Sequence, residues 1–360
     1  TLLTIVIVLT PLFGQSWTTH TITTSLDNAW QVYPIDLDGD GDMDLVTCAK
    51  NKSSGVYKIS WWENDGTPAT GAWPEHTITT AALNPYEIYA ADLNGDGDLD
   101  ILSASREDDT VSWWENNGSE SFTEREITTT DDGVCAVYAV DLDGDGDLDV
   151  LTGSIDDNTI GWYRNNGSGS FSSIITINTS AMKARSVYAI DVDGDGDMDV
   201  LSASRDDDTI AWYRNNGSES FTEFVISTDA DYAASVHAAD VDGDGDIDVL
   251  SASKFDDKIA WYENNGSESF TPHNVNTPDT DDTPGNDNDG NADGARSVYA
   301  ADVDGDGDMD VLSASKEDRK IAWYENDGSE SFTAHTLNSD ARKAKTVYAI
   351  DVDGDGDMDV

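Results

Sequence analysis

The sequence predicts an all-β chain folded as a β-propeller of four-stranded blades, and two observations carry that prediction. A nine-residue pattern, Asp-x-Asp-Gly-Asp-Gly-Asp-x-Asp, begins at Asp36, Asp92, Asp141, Asp191, Asp240, Asp302 and Asp351, with Asn94 replacing one aspartate. The starts lie 56, 49, 50, 49, 62 and 49 residues apart. Each interval holds short apolar or alternating segments divided by Gly and Asx turns, and none holds a sustained helical period.

The unit around Asp302 shows the elements in order. Residues 297–301, Ser-Val-Tyr-Ala-Ala, are a buried inner strand, A, and the acidic loop Asp302 to Asp310 follows. Residues 311–315, Val-Leu-Ser-Ala-Ser, form strand B, with small side chains on a packed face. After a polar turn at 316–319, residues 320–325 form strand C, rich in strand-favouring types. An Asn-Asp-Gly-Ser turn leads to strand D at 332–337. Trp61, Trp113, Trp162, Trp212, Trp261 and Trp323 recur at one position of strand C and are expected to pack between blades.

The ring is expected to be seven-bladed. Residues 17–360 would supply six whole blades and part of a seventh, truncated after its acidic loop, with an insertion at 277–295. Residues 17–23 match strand D and are expected to serve the last blade as its outer strand. Before them lies an apolar run, residues 2–13, too short for a bilayer span of ~20 residues but of the length of an export-signal core. Residues 1–16 are read as a clipped signal peptide. The protein is therefore expected to be secreted or displayed at the cell surface, with no membrane insertion of the mature domain.

The net charge of −54 disfavours nucleic acid and anionic membranes as partners. The seven loops hold 34 of the 73 acidic residues, and seven divalent ions would bring −54 to −40. Cys48 and Cys135 sit in non-adjacent repeats and read as free thiols.

Each loop reads as a metal site. Position one is Asp36, Asp92, Asp141, Asp191, Asp240, Asp302 and Asp351. Position three is Asp38, Asn94, Asp143, Asp193, Asp242, Asp304 and Asp353. Position five is Asp40, Asp96, Asp145, Asp195, Asp244, Asp306 and Asp355. Position seven, expected to offer its backbone carbonyl, is Asp42, Asp98, Asp147, Asp197, Asp246, Asp308 and Asp357. Position nine is Asp44, Asp100, Asp149, Asp199, Asp248, Asp310 and Asp359. An all-oxygen, multi-carboxylate loop with no Cys or His suits a hard, flexibly coordinated ion, so Ca²⁺ is expected, about one per loop and structural in role. The first half resembles an EF-hand loop. Thr47 and Ser313 stand where that loop needs Glu, and the flanks are strands, which rejects an EF-hand.

These units resemble the FG-GAP/VCBS repeats of integrin-alpha-like propellers and bacterial secreted surface proteins. The likeness is carried by residues 191–199 (Asp-Val-Asp-Gly-Asp-Gly-Asp-Met-Asp), the preceding Val-Tyr-Ala-Ile at 187–190 and the following Val-Leu-Ser-Ala-Ser at 200–204. It extends to Ile-Ala-Trp-Tyr-Arg-Asn at 210–215. The resemblance implies a propeller with Ca²⁺ between strands A and B, and adhesion or ligand binding as function. Some related propellers bind sugars and some form the body of polysaccharide lyases.

Strand alternation puts the acidic loops on one face of the ring. Scarce basic residues gather at the opposite turns: Lys50, Lys52, Arg106, Arg205, Lys254, Lys316 and Arg319 between B and C, and Lys183, Arg185, Arg296, Arg342, Lys343 and Lys345 between D and A. Tyr86 and Tyr232 join them. That face is expected to bind a glycan or an extracellular protein, with Arg185, Arg296 and Lys345 as candidate contacts. Catalysis finds no distinct constellation, and His20, His76, His273 and His335 repeat as architecture. The alternative reading is the propeller of a polysaccharide-acting enzyme of lyase type.

Overall fold

The structure, a computed structural model, describes residues 3–8, 17–69, 71–276 and 292–360. The signal reading falls largely on residues outside these, as does most of the 277–295 insertion. Of the apolar run, Leu3–Val8 forms a strand antiparallel to Trp17–Thr23.

Six four-stranded antiparallel sheets follow, each in simple A-B-C-D order. Blade one is Leu26–Ile35, Asp44–Asn51, Tyr57–Trp62 and Glu75–Thr79; blade two is Pro85–Ala91, Asp100–Ser105, Thr110–Asn116 and Phe122–Thr128. Blade three is Val134–Val140, Asp149–Ser154, Ile160–Tyr163 and Ile175–Asn178; blade four is Ala184–Ile190, Asp199–Ser204, Thr209–Asn215 and Phe221–Ser227. Blade five is Ala233–Ala239, Asp248–Ser253, Lys258–Asn264 and Phe270–Asn274; blade six is Ala295–Ala301, Asp310–Ser315, Lys320–Asn326 and Phe332–Asn338.

The expected count of seven is corrected to six. Residues 344–360 contribute an inner segment and an acidic loop joined by an isolated bridge, Ile350 to Asp359, and no four-stranded sheet forms there. The inner circle nevertheless has seven members. Tyr33, Tyr89, Tyr138, Tyr188, His237, Tyr299 and Tyr348 form a closed ring of aromatic contacts with centroid spacings of 5.1, 4.7, 5.2, 4.9, 4.7, 5.3 and 5.6 Å in order. Trp17 makes against Trp323 the edge contact that Phe332 makes against Trp261 and Phe270 against Trp212. The strand Trp17–Thr23 thus lies where an outer strand would follow blade six, as its sequence match to strand D suggests.

Neighbouring inner strands are stitched two residues outside that ring. Gln31, Glu87, Ser186, Ser235, Ser297 and Thr346 each accept a hydrogen bond from a backbone N–H of the next inner strand: Ile88, Val137, Val236, Val298, Val347 and Val32. Ala136 holds the same position in blade three and has no side-chain acceptor to offer.

The core lies between blades. Strand B is buried at all six residues in blades two to six, because each of its faces meets a neighbouring sheet. Trp212 is 1 % exposed, stacks on Phe224 at 4.8 Å and meets Phe270 of blade five. Trp212→Ala is expected to cost about 3–5 kcal/mol, by transfer plus cavity terms. Chemical denaturation at fixed calcium checks this, and a loss below about 1 kcal/mol would contradict the inter-blade role. Cys48 and Cys135 are buried free thiols, as read from the sequence.

Candidate functional site

Two places gather chemistry-bearing side chains, one on each face of the ring. On the first, the acidic loops fold around their own carboxylates. Gly39 and Gly41 have φ of 77° and 99°, and a Cβ on either would meet no atom within 4 Å. Conformation, not space, requires glycine there. Asp36 accepts from Gly39 N and Gly41 N at 2.9 and 3.1 Å, which curls the loop around position one. Carboxylate oxygens of Asp36, Asp38 and Asp40 lie within 4.8 Å of one another, as do those of Asp302, Asp304 and Asp306. The same holds for positions one, three and nine in the sets Asp141, Asp143, Asp149; Asp191, Asp193, Asp199; and Asp240, Asp242, Asp248. One buried oxygen, Asp240 Oδ1, has no hydrogen-bond partner. Such a crowd of hard anionic donors fits a divalent cation, which positions one, three, five and nine would hold. The ion would supply positive charge that turns mutual repulsion into attraction.

Positions seven and nine have distinct placements. A Cβ on Gly66, Gly217 or Gly328 of the C–D turns would collide with the carboxylate of Asp42, Asp197 or Asp308. Position seven therefore aims its side chain at the turn of its own blade, consistent with a backbone rather than side-chain donation. Position nine is fully buried. Asp199 accepts from Val192 N at 3.1 Å and from Asn215 N at 2.7 Å, while Asn215 Nδ2 donates to Leu142 O of the preceding loop at 3.0 Å. Burial pushes the Asp44, Asp100 and Asp149 carboxyls up to about 7 and those of Asp199, Asp248 and Asp310 up to about 6, against the lowering effect of these N–H bonds. Asn94, the odd residue of its loop, donates Nδ2 to Asp96 at 2.9 Å.

On the opposite face, the mouth of the central channel opens into a cavity of about 320 Å³. Its floor is the aromatic ring. Its rim is set by the residue six places before each loop: Trp30, Tyr86, Cys135, Arg185, Ala234, Arg296 and Lys345. Trp30 stacks on Tyr86 at 4.1 Å, and Lys345 Nζ lies over the Trp30 ring. Arg185 sits over the Tyr86 ring at 5.1 Å and donates Nη1 to its hydroxyl. Arg296, Arg205 and Lys254 surround the Tyr232 ring at 5.6, 5.0 and 5.1 Å. Burial alone would raise the Tyr232 phenol, but the cations Arg205, Arg185, Arg296 and Lys254 outweigh it and hold that phenol below its ordinary value. Burial, with Arg185 and Arg296 nearby, pushes the Lys345 ammonium down to about 6. Burial likewise pushes Glu87 up to about 8 and His237 down to about 4.

The FG-GAP-like repeat family matches residues 48–103, 92–152, 151–202, 191–251, 240–313 and 302–360. The chain belongs to that family. Among solved structures, the FG-GAP propeller is similar to a protein from Lactobacillus plantarum, with TM-score 0.65 and 14 % identity over 95 % of this chain and 97 % of that one. It is also similar to two proteins provisionally named 6-phosphogluconolactonase. The one from Bacteroides fragilis has TM-score 0.63 and 13 % identity over 97 % of each chain. The one from Bacteroides uniformis has 0.62 and 13 % over 95 % of this chain and 97 % of that one. At such identities these likenesses speak for the fold alone. No curated protein matches the sequence.

The FG-GAP propeller brings Arg185, Arg296 and Lys345 into the lining of one cavity and sorts them from the other basic residues of that face. Arg106 and Lys183 lie 3.6 and 3.4 Å from Asp156, Arg205 pairs with Asp206 at 2.6 Å, and Lys316 with Glu317 at 2.9 Å. The three cavity cations make no ion pair among the described residues. Sequence reasoning missed Trp30, Glu87 and the closed tyrosine ring. The signal for Trp30 was present: its register position differs in almost every repeat, whereas the position three residues on is aromatic or His in all seven. The histidines of strand D behave as architecture, with His76, His273 and His335 pairing to Glu63, Glu263 and Glu325 and stacking on Trp61, Trp261 and Trp323.

Proposed function

We propose that this FG-GAP propeller is an exported binding module, stabilised by calcium in its acidic loops, that takes a glycan or an extracellular protein ligand at the mouth of its central channel. The observation that supports this most is the convergence of three basic side chains in no ion pair among the described residues, Arg185, Arg296 and Lys345, on one cavity of a chain whose net charge is −54. The cavity volume of about 320 Å³ falls within the range of small-ligand sites. The channel mouth lies opposite the loops, so a ligand there does not compete with bound cations. The scaffold is stiff and the rim residues vary between repeats, which is how binding surfaces are commonly built.

Charge reversal at Arg185, Arg296 and Lys345 together is expected to abolish ligand capture in a glycan and protein screen, with melting behaviour retained. Capture that survives the triple reversal would remove this face from the reading. A second reading, a polysaccharide-acting scaffold, draws on His237, the one imidazole in the tyrosine ring, whose Nδ1 is buried without a partner. It would require turnover of a polymer that binds at the same cavity.

A further inference from the structure

Resting on the binding-module reading, we infer that the cavity receives the carboxylated ring of an acidic sugar, its carboxylate held between Arg185 and Arg296 beside the Trp30–Tyr86 pair. Four observations carry this. The first is the arginine pair. Arg185 on blade four and Arg296 on blade six are separated at the rim by Ala234 of blade five, the smallest residue at this register, and all three line the cavity. Buried Nε atoms of both arginines have no hydrogen-bond partner. A guanidinium offers a planar fork that matches a carboxylate, and donors left unmet in a buried place are costly.

The second observation is the balance of donors and acceptors. The hydroxyls of Ser186, Ser235 and Ser297 already accept backbone N–H bonds, so their own protons remain to be donated, and all three residues line the cavity. Glu87, the one carboxyl in the lining, accepts from Val137 N at 3.2 Å, and burial raises it to about 8 against the lowering effects of that bond and of Arg185. A donor-rich cavity selects an acceptor-rich ligand, which a uronate is at its carboxylate, its ring oxygen and its hydroxyl oxygens.

The third observation is shape. About 320 Å³ is at the small end of ligand cavities, room for one or two rings. The stacked Trp30–Tyr86 pair borders it, with Lys345 over the Trp30 ring and Arg185 over the Tyr86 ring, so the aromatic faces brace the basic groups that line the space. The fourth separates this from a phosphate site. Phosphates are commonly cradled by free backbone N–H groups at a helix start or in a nest. Here the chain forms no helix among the described residues, and the N–H groups of Val236, Val298 and Val347 in the lining are committed to the stitching bonds.

Binding should take up a proton. The groups facing the Lys345 amine are Arg185, Arg296 and Lys343, the Cys48 thiol of blade one, pushed up to about 12 by burial, and Trp30. None carries negative charge at neutral pH, so the empty cavity holds the amine neutral above about 6. An arriving carboxylate restores its proton. Glu87, protonated below about 8, adds a repelling charge above that value. Both effects weaken anion binding as pH rises.

The test is calorimetric titration of folded, calcium-loaded protein with glucuronate, glucose and inorganic phosphate, in two buffers of different ionisation enthalpy. Glucuronate is expected to bind at least tenfold more tightly than glucose or phosphate, with proton uptake at pH 7 and affinity falling from pH 5.5 to 8.5. Arg185→Met and Arg296→Met are each expected to weaken it tenfold or more, while Arg185→Lys keeps part of the affinity. Should the arginine variants not fold, Lys345→Met is expected to remove the proton uptake. Glucose or phosphate binding as well as glucuronate, or arginine variants without effect, would overturn the inference. A neutral glycan or a peptide whose capture is lost in Trp30→Ala but kept in Arg185→Met would overturn it too, yet leave the binding module standing. Capture indifferent to every cavity substitution would remove both.

Discussion

Chelation of divalent cations is expected to lower the melting temperature by about 10–15 °C. The seven loops bring carboxylates together at positions one, three, five and nine, and two carboxylates ~5 Å apart repel by roughly 3 kcal/mol at an effective dielectric of ~20. A site of extracellular type binds Ca²⁺ with a Kd of about 10⁻⁴ M. At ~1 mM free ion each such site adds ~1.4 kcal/mol to folding, and seven add ~10 kcal/mol, comparable to the whole stability of an ordinary domain. Differential scanning calorimetry with and without chelator reads this directly. Magnesium should restore little, because it keeps its waters and asks for stricter geometry. A melting temperature indifferent to chelator would mean that the loops are held by their N–H bonds alone.

Asp199→Ala, measured in chelator, is expected to cost about 2–5 kcal/mol. With no ion present, the loss comes from Val192 N and Asn215 N, two buried donors that would lose the Asp199 carboxylate as acceptor. Asn215 also holds Leu142 O of the preceding loop, so the damage should spread to the blade three–blade four boundary. Asp195→Ala is the informative partner. Asp195 is exposed and accepts from Asp197 N at 2.9 Å, so its loss in chelator should stay within about 0.5–1 kcal/mol. In calcium the same change should remove one site's contribution, ~1.4 kcal/mol. Equal costs for the two variants in chelator would show that position nine is not the structural peg of the loop.

Much of this architecture was legible because the repeat reports on itself. Strands A to D were readable in the unit around Asp302, since buried Val-Leu-Ser-Ala-Ser and Lys-Ile-Ala-Trp-Tyr-Glu segments alternate with turns that glycine dictates. The inter-blade role of Trp212 and its equivalents followed from register alone. The blade count did not follow. Seven acidic loops imply seven inner strands, and seven aromatic residues do close the circle, but a loop does not guarantee the three strands that should flank it. Residues 344–360 supply the inner position and no full sheet. The cavity was half legible. Arg185, Arg296 and Lys345 stood out as rare cations in an acidic chain, whereas Trp30 and Glu87 look like ordinary strand residues until neighbouring blades bring them to one rim. Convergence of that kind depends on the curvature of the ring, which no local pattern encodes.

The seam of the circle has its own consequence. Val32 N to Thr346 Oγ1, Gln31 Nε2 to Tyr348 OH and Asn64 Nδ2 to Val352 O join residues about three hundred places apart, while the inner-strand stitching bonds between the other blades link adjacent repeats. Loop-closure entropy makes such remote partners the last to meet during folding. Blades can nucleate anywhere and grow outward as an arc, and the arc becomes a ring only when the first repeat finds the last. Closure is also what brings Lys345 beside Trp30. The rim of the cavity is thus completed in the final step of assembly, and a partly assembled arc would carry the acidic loops but lack the finished mouth.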